Sequence, residues 1–449
     1  MLRRIGVLLA VLILALLSAP PAVAIEPPTI DPAALPPDET GPDQPTEQRR
    51  VCSAPTTFPG ANFADKPWAS DYLRIAEAQK FATGEGVTVA VIDTGVNGSP
   101  RVPALPGGDF VDANGNGMSD CDSHGTLTAS IIAGRGAPTD GFIGVAPDAR
   151  ILSLRQTSDN FQPVGARTDP NDPNTTQTAG SLRSLSRSIV HAANLGAQVI
   201  NISEAACYKI TRPINESGLG AAIEYAVNVK GAVVIVAAGN TGQDCSQNPP
   251  PDAAIPSDPR GWKQVQTIVS PAWYSPLVLT VGGIGPTGQP STFSMSGPWV
   301  GAAAPAENIT ALGYDGNPVN ALQGQDGPVP INGTSFAAAF VSGLAAMLKQ
   351  RFPDLTAAQI INRITATARH PGGGVDNYVG AGVIDPVAAL TWDVPPGPRT
   401  IPYKVKQLPP PVYIPPPDRG PITLVVITGA ALALALGLGA LTRRALRRR

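Results

Sequence analysis

Charge is scarce in this 449-residue sequence: Asp, Glu, Lys and Arg make up 15% of it and nearly cancel, to a formal −2. A chain that neutralises phosphates needs a basic surface, so nucleic acid is excluded as its main partner. Histidine is rarer still. With three in the whole chain, His124, His191 and His370, the search for a general base is short. Four cysteines, Cys52, Cys121, Cys207 and Cys245, contain no CxxC and have few histidines to join them, which excludes the usual zinc spacings. No internal repeat is present. What the chain has in quantity is glycine (47) and proline (49), so much of its backbone belongs in turns, loops and extended linkers. Its length accommodates one large catalytic domain, or two ordinary ones, with appendages.

Both ends are apolar in a patterned way. Residues 1–24 run from Arg3 and Arg4 through an apolar stretch to Ala22-Val23-Ala24, the pattern of a secretory signal with an A-x-A-like cleavage site. Pro421 to Leu441 carries no charge and is long enough to cross a hydrocarbon core of about 30 Å. Arg443, Arg444, Arg447, Arg448 and Arg449 follow at once and mark the cytoplasmic side. The two signals agree on an extracytoplasmic domain held to a membrane by one C-terminal helix. In an exported chain an even number of cysteines implies two disulfides, for which three pairings exist.

Between the ends, residues 25–70 form a Pro-rich extension expected to be extended coil. A short amphipathic helix is expected over Leu73–Phe81, ended at Gly84. Apolar strands then alternate with helices: Val87–Ile92, His124–Ala133, Ala149–Leu154, Ala179–Leu195, Gln198–Ser203, Leu219–Val229, Ala232–Ala237, Leu277–Val281, Ser335–Gln350 and Thr356–Ala368. That alternation predicts an α/β domain over 71–392, with a mainly parallel sheet covered by helices on both faces. Gln156–Thr178 and Thr241–Pro259 read as surface loops, and 393–420 as a polyproline-like stalk before a membrane helix at 421–442 and a basic tail at 443–449.

Three segments place reactive side chains at element ends. Asp93 closes the apolar strand of Val89-Ala-Val-Ile-Asp93, where parallel sheets put their ligands. His124 opens a helix with Gly125-Thr126 behind it. Ser335 stands in Asn332-Gly333-Thr334-Ser335 at the start of a long helix, its hydroxyl at the positive end of the dipole. His191 and His370 read as surface or packing residues. Asp112-Ala-Asn114-Gly-Asn116-Gly117 has the start of a calcium loop, but Ser123 stands where the closing Glu would be, so it reads as a turn. Cys207 and Cys245 follow strands whose parallel arrangement brings their loops together, which pairs them and leaves Cys52 with Cys121.

Taken together, VAVIDTGV at 89–96, HGT at 124–126 and GTSFAAAFVSG at 333–343 resemble the subtilase family of serine proteases. The resemblance implies a three-layer subtilisin-like fold and serine endopeptidase activity on protein or peptide substrates. It makes Ser335 the nucleophile, His124 the general base, Asp93 the group that orients it, and Asn240 an oxyanion donor, with no cofactor and no metal. Ser203, Ala205, Ala237 and Gly239 would wall the substrate cleft, with Glu204 in that neighbourhood. Phe336 and Leu127-Thr128-Ala129 depart from many relatives and bear on cleft shape. Signal, Pro-rich extension, four cysteines, stalk and single terminal helix narrow the likeness to the mycosins. That likeness implies the same cysteine pairing and association with a type VII secretion membrane complex. A mainly structural role in such a complex is the rival reading. The extension is too short and Pro-rich to fold alone, so it is expected to wrap the domain without inhibiting it.

Overall fold

The computed structural model describes residues 25–165, 178–212, 214–242, 245–406 and 420–447. The signal expected over 1–24, much of the loop after Gln156 and the later part of the stalk lie outside them. Two units are present, residues 1–406 and 407–449.

The first unit is organised by seven parallel strands: β1 (Thr88–Asp93), β2 (Ala104–Asp109), β3 (Arg150–Arg155), β4 (Val199–Ile202), β5 (Val233–Ala237), β6 (Leu279–Ile284) and β7 (Val300–Pro305). Their order in the sheet is β7-β6-β5-β4-β1-β3-β2. β1, β5 and β6 are buried at consecutive positions rather than alternate ones, so both faces of the sheet are covered. On the one side lie α1 (His124–Ala133) and α4 (Thr334–Arg351), packed on each other, with α5 (Ala357–Ala366) beside α4; α2 (Leu182–Asn194) and α3 (Ser217–Glu224) pack together elsewhere on the sheet. The chain leaves β1 for β2 and β3 on one side, then returns to lay β4 on the other. Beyond the carboxyl ends of β1 and β4 this reversal opens the crevice in which α/β sheets hold their ligands.

Most elements lie within two or three residues of where apolar periodicity puts them, and the departures have physical causes. β2 and β7 carry Gly, Pro and Ala instead of β-branched residues, so strand propensity does not mark them. The helix expected over Leu73–Phe81 is two short ones, Trp68–Tyr72 and Ile75–Ala78, broken at Arg74 with φ 53°. Leu73 and Ile75 are both buried, yet two positions on a helix lie about 200° apart. The left-handed residue between them turns both inward.

The Pro-rich extension is not simple coil. Thr46–Gln48 pairs antiparallel with Phe161–Pro163, and Pro55–Thr56 adds to the hairpin of Ala321–Gly324 and Gly327–Pro330. The stalk also begins later than proline content suggests. Ile401 is buried, and the backbone of Ile30 donates to Lys404 and accepts from Lys406, each at 2.7 Å, so residues up to Lys406 belong to the folded unit.

Disulfides join Cys52 to Cys121 and Cys207 to Cys245. The first spans 69 positions and ties the extension to the loop before α1. Closing a loop of that length in the unfolded chain stabilises by about 4 kcal/mol in the chain-entropy account. The double variant Cys52→Ser/Cys121→Ser should lower the denaturation midpoint in a urea titration and steepen the slope, because the unfolded chain without the bridge exposes more surface.

The second unit holds one helix, α6 (Gly420–Leu446), whose span Val425–Arg444 has a mean hydropathy of 2.1. Among the described residues it is the helix long and apolar enough to cross a membrane.

Candidate active site

Asp93 is the last residue of β1, fully buried, with its carboxylate turned to the imidazole that opens α1: Oδ1 lies 2.7 Å from His124 Nδ1 and accepts from the Thr94 N–H at 2.7 Å. Burial opposes a charge here, but the His124 cation and its hydrogen bond, with the Thr94 amide, hold Asp93 below the usual carboxylate range.

The start of α1 is held against β1 by backbone and threonine contacts. An added Cβ at Gly125 would meet the Gly95 carbonyl oxygen at 2.0 Å, so only glycine lets the helix come this close. Gly125 N donates to Thr94 Oγ1, and Thr94 Oγ1 donates to Asp120 Oδ1, both at 2.9 Å. Asp120 Oδ2 also accepts from Thr126 N and Oγ1. Burial raises Asp120 to about 6 against those hydrogen bonds. Ser123, with φ 67°, turns the chain into the helix, and its hydroxyl donates to the Ser53 carbonyl at 3.0 Å. The extension therefore braces the loop that presents His124.

Ser335 sits in the first turn of α4, and the next residue, Phe336, places its ring 5.2 Å from the His124 ring. The serine hydroxyl donates to the Ser203 carbonyl at 3.1 Å. Across the turn, Asn240 Oδ1 accepts from Thr334 N (3.0 Å) and Thr334 Oγ1 (3.1 Å). With its oxygen occupied twice, the amide presents Nδ2 as the free donor. Thr334 Oγ1 in turn accepts from Gly239 N at 3.1 Å, so the end of β5 and the start of α4 are locked together.

Of the four residues expected to wall a substrate cleft, the structure brings Ser203, Ala205 and Gly239 together around the start of α4. Ser203 supplies the carbonyl beside Ser335, and a Cβ built on Gly239 would lie 3.5 Å from the Ala205 Cβ, so those two face each other. Ala237 does not join them: it is 1% exposed inside β5 and lends the cleft no side-chain surface. Being last in an apolar strand makes it core. His191 lies away from this cluster and pairs with Asp38 of the extension at 2.6 Å.

A fourth ionisable group stands in the site. Glu204 offers a carboxylate oxygen within 4.8 Å of ligand atoms of both Asp93 and His124. Burial chiefly, then Asp93, pushes it up to about 8; His124 opposes this, and Asp159 and Asp122 add to it. The imidazole responds in the same sense. Burial works against its cation, but Asp93 first, then Glu204 and Asp120, push it up to about 9. Position next to Ser203 was the only sequence signal for this residue, and it did not give the side chain's direction.

A buried carboxylate on an imidazole, a serine at a helix N-terminus and an anchored amide donor form the constellation of acyl-transfer hydrolases. The family model described as the subtilase family matches residues 84–382. The chain belongs to the subtilase family and, within it, to the mycosins, and it is a subtilisin-like serine protease. Mycosin-1 of Mycolicibacterium smegmatis is 79% identical over 447 residues, which is 100% of both chains. The crystal structure of MycP1 from Mycobacterium smegmatis is similar at a TM-score of 0.83 and 80% identity, covering 86% of this chain and 100% of that one. A chain of an intact ESX-5 inner membrane complex has a TM-score of 0.79 at 45% identity, covering 94% of this chain and 100% of that one.

Proposed function

We propose that this protease cleaves peptide bonds of secreted or cell-envelope proteins with Asp93, His124 and Ser335 as its triad, from the outer side of a membrane that α6 spans. The observation that carries the reading is the 2.7 Å contact between the buried Asp93 carboxylate and His124, with the helix bearing Ser335 packed on the same ring. Rotation about its Cα–Cβ bond turns the Ser335 hydroxyl from the Ser203 carbonyl toward the imidazole. Neutral His124 takes the hydroxyl proton as Oγ attacks the scissile carbonyl, then returns it to the leaving amine. Asp93 fixes the tautomer and stabilises the imidazolium. Negative charge on the carbonyl oxygen is met by Asn240 Nδ2 and the Ser335 N–H at the positive end of α4.

The substrate backbone is expected to lie extended beside residues 201–203, adding to the sheet edge. A fluorophosphonate probe on the full-length protein tests the nucleophile: the wild type should label and Ser335→Ala should not. Equal labelling of both would end the assignment.

The N-terminal extension acts in this reading as a brace, because Ser53 backs the turn at Ser123. Removing residues 25–60 should lower activity and stability together; a sharp rise in activity would instead make the extension an inhibitor. One observation favours a second reading, a structural part in a secretion complex: the likeness to a chain of an ESX-5 inner membrane complex extends over 94% of this chain. Secretion that persists in a Ser335→Ala strain while cleavage stops would favour that role.

A further inference from the structure

Glu216 is a buried carboxylate that the proposed chemistry does not use. Among the described residues it pairs with no Lys or Arg, and neutral donors compensate it instead. Its Oε2 accepts from the Ser270 hydroxyl at 2.7 Å and the Trp273 indole N–H at 3.2 Å, and its Oε1 from the Tyr208 hydroxyl. The backbone here is as fixed as the side chain. The Glu216 carbonyl accepts from Gly220 N at 3.0 Å, in the first turn of α3, and from the Tyr274 hydroxyl at 3.1 Å. The carboxylate is therefore a fixed point at the start of a helix, with donors converging on it.

Two of those donors belong to a two-stranded ribbon outside the main sheet, in which Ala206–Lys209 pairs antiparallel with Thr267–Ser270. Tyr208 lies on one strand and Ser270 on the other. At the far end, where Lys209 stands opposite Thr267, the Asn248 amide donates to the Thr267 carbonyl and accepts from Gln266 N and Thr267 N, each at 3.0 Å. The near end, with Ala206 opposite Ser270, meets the cleft twice. Ala206 directly follows Ala205, which faces Gly239, and a Cβ built on Gly239 would lie 3.0 Å from Val269 Cγ1. Ala205, Ala206 and Ser270 also share the wall of a cavity of about 180 Å³. Besides the Cys207–Cys245 bridge, Glu216 is what anchors this end.

We propose that Glu216 is a positioning residue for the substrate: by tying Tyr208 and Ser270 to the start of α3, it sets the ribbon against Gly239 and so fixes the cleft wall at Ala205 and Ala206. The proposal rests on the reading of Ser203, Ala205 and Gly239 as that wall. A two-stranded ribbon is marginal by itself, and an acceptor shared by both strands holds them to one point. The tie does not depend on charge. Burial raises Glu216 to about 7 against its hydrogen bonds. A protonated carboxyl, or an amide, still accepts from Ser270 and Trp273 through one oxygen while its other end donates to the Tyr208 oxygen. A wall fixed in advance reduces the ordering cost when an extended peptide binds, so loosening it should appear in KM and not in kcat.

The test uses the full-length protein in detergent and two probes. Tetra-alanine p-nitroanilide must lie along the wall, whereas a fluorophosphonate needs only the triad. In Glu216→Ala, KM for the peptide should rise about tenfold with kcat within about twofold, while the labelling rate stays at the wild-type value. Glu216→Gln should return KM to near the wild type. Tyr208→Phe and Ser270→Ala each remove one tie and should raise KM about fivefold; they replace Glu216→Ala if circular dichroism shows it misfolded. A merely structural Glu216 would lower the urea midpoint and leave KM of the folded protein unchanged, and that result overturns the proposal. So does a labelling rate that falls together with kcat, because the damage then lies at the triad. A wild type that does not label counts against the triad alone. Binding of a fluorescent tetra-alanine then decides: weakening of about tenfold in Glu216→Ala supports the proposal, and equal affinity overturns it.

Discussion

Ser335→Ala is expected to lower kcat on a peptide substrate by about 10⁶-fold, the scale associated with loss of a triad nucleophile. Among the described residues nothing beside Ser335 can substitute for it. Ser203 contributes its backbone carbonyl next to Ser335, and its own hydroxyl accepts from the Asn201 amide at 2.8 Å. Thr334 is committed to Asn240 and Gly239. What survives in the variant is the oxyanion site and the binding of the peptide, together worth roughly 10³–10⁴ over water. KM should change little, because the serine oxygen contributes hardly any ground-state binding. Nor should folding suffer. The hydroxyl makes one hydrogen bond to a backbone carbonyl, and its loss removes about 1 kcal/mol. A variant that kept more than a thousandth of wild-type kcat, measured on protein purified free of other proteases, would remove Ser335 from the mechanism.

The second large effect belongs to Asn240. Asn240→Ala should lower kcat by 10² to 10³, about 3–4 kcal/mol of transition-state stabilisation, with KM nearly constant. The amide oxygen accepts from both Thr334 donors, so its nitrogen is held in place before any substrate arrives. Such a donor strengthens only as charge grows on the carbonyl oxygen, which is why kcat and not KM should carry the loss. Asn240→Asp makes the sharper comparison. It can keep the Thr334 contacts while removing the donor, and it adds a negative charge where negative charge develops, so it should be slower than Asn240→Ala. Steady-state kinetics of both variants on one peptide settle the order. An Asn240→Asp enzyme faster than Asn240→Ala would mean that Asn240 braces Thr334 and donates to nothing.

Both effects concern residues that the sequence itself marks. Asp93, His124 and Ser335 stand at the ends of strongly periodic elements, and periodicity is what an isolated sequence carries best. The helix over His124–Ala133 is bounded as its apolar pattern suggests. Ala237 was less legible. A residue at the end of a strand can point to the core or to the cleft, and strand alternation alone does not say where the buried face stops. The direction of Glu204 is not legible in the sequence for a related reason. Its neighbours in the chain placed it at the cleft, but its bearing on His124 depends on a third dimension, the stacking of the loops after β3 and β4 around the start of α1. β2 and β7 were missed because their Gly, Pro and Ala gain strand form from neighbours on the sheet, not from their own preferences. The tail of the folded unit was hidden by its prolines, since Ile401 and the partners of Ile30 sit in a stretch whose composition speaks of a linker.

Ile30 and Lys404 to Lys406 meet edge to edge, so the polypeptide departs from its folded unit beside the place where it enters. Tension on the departing end would be borne first by that short two-stranded clasp. Peeling it open would cost the two backbone hydrogen bonds on Ile30, the ion pairs of Lys404 with Glu26 and of Lys406 with Asp31, and the burial of Ile401.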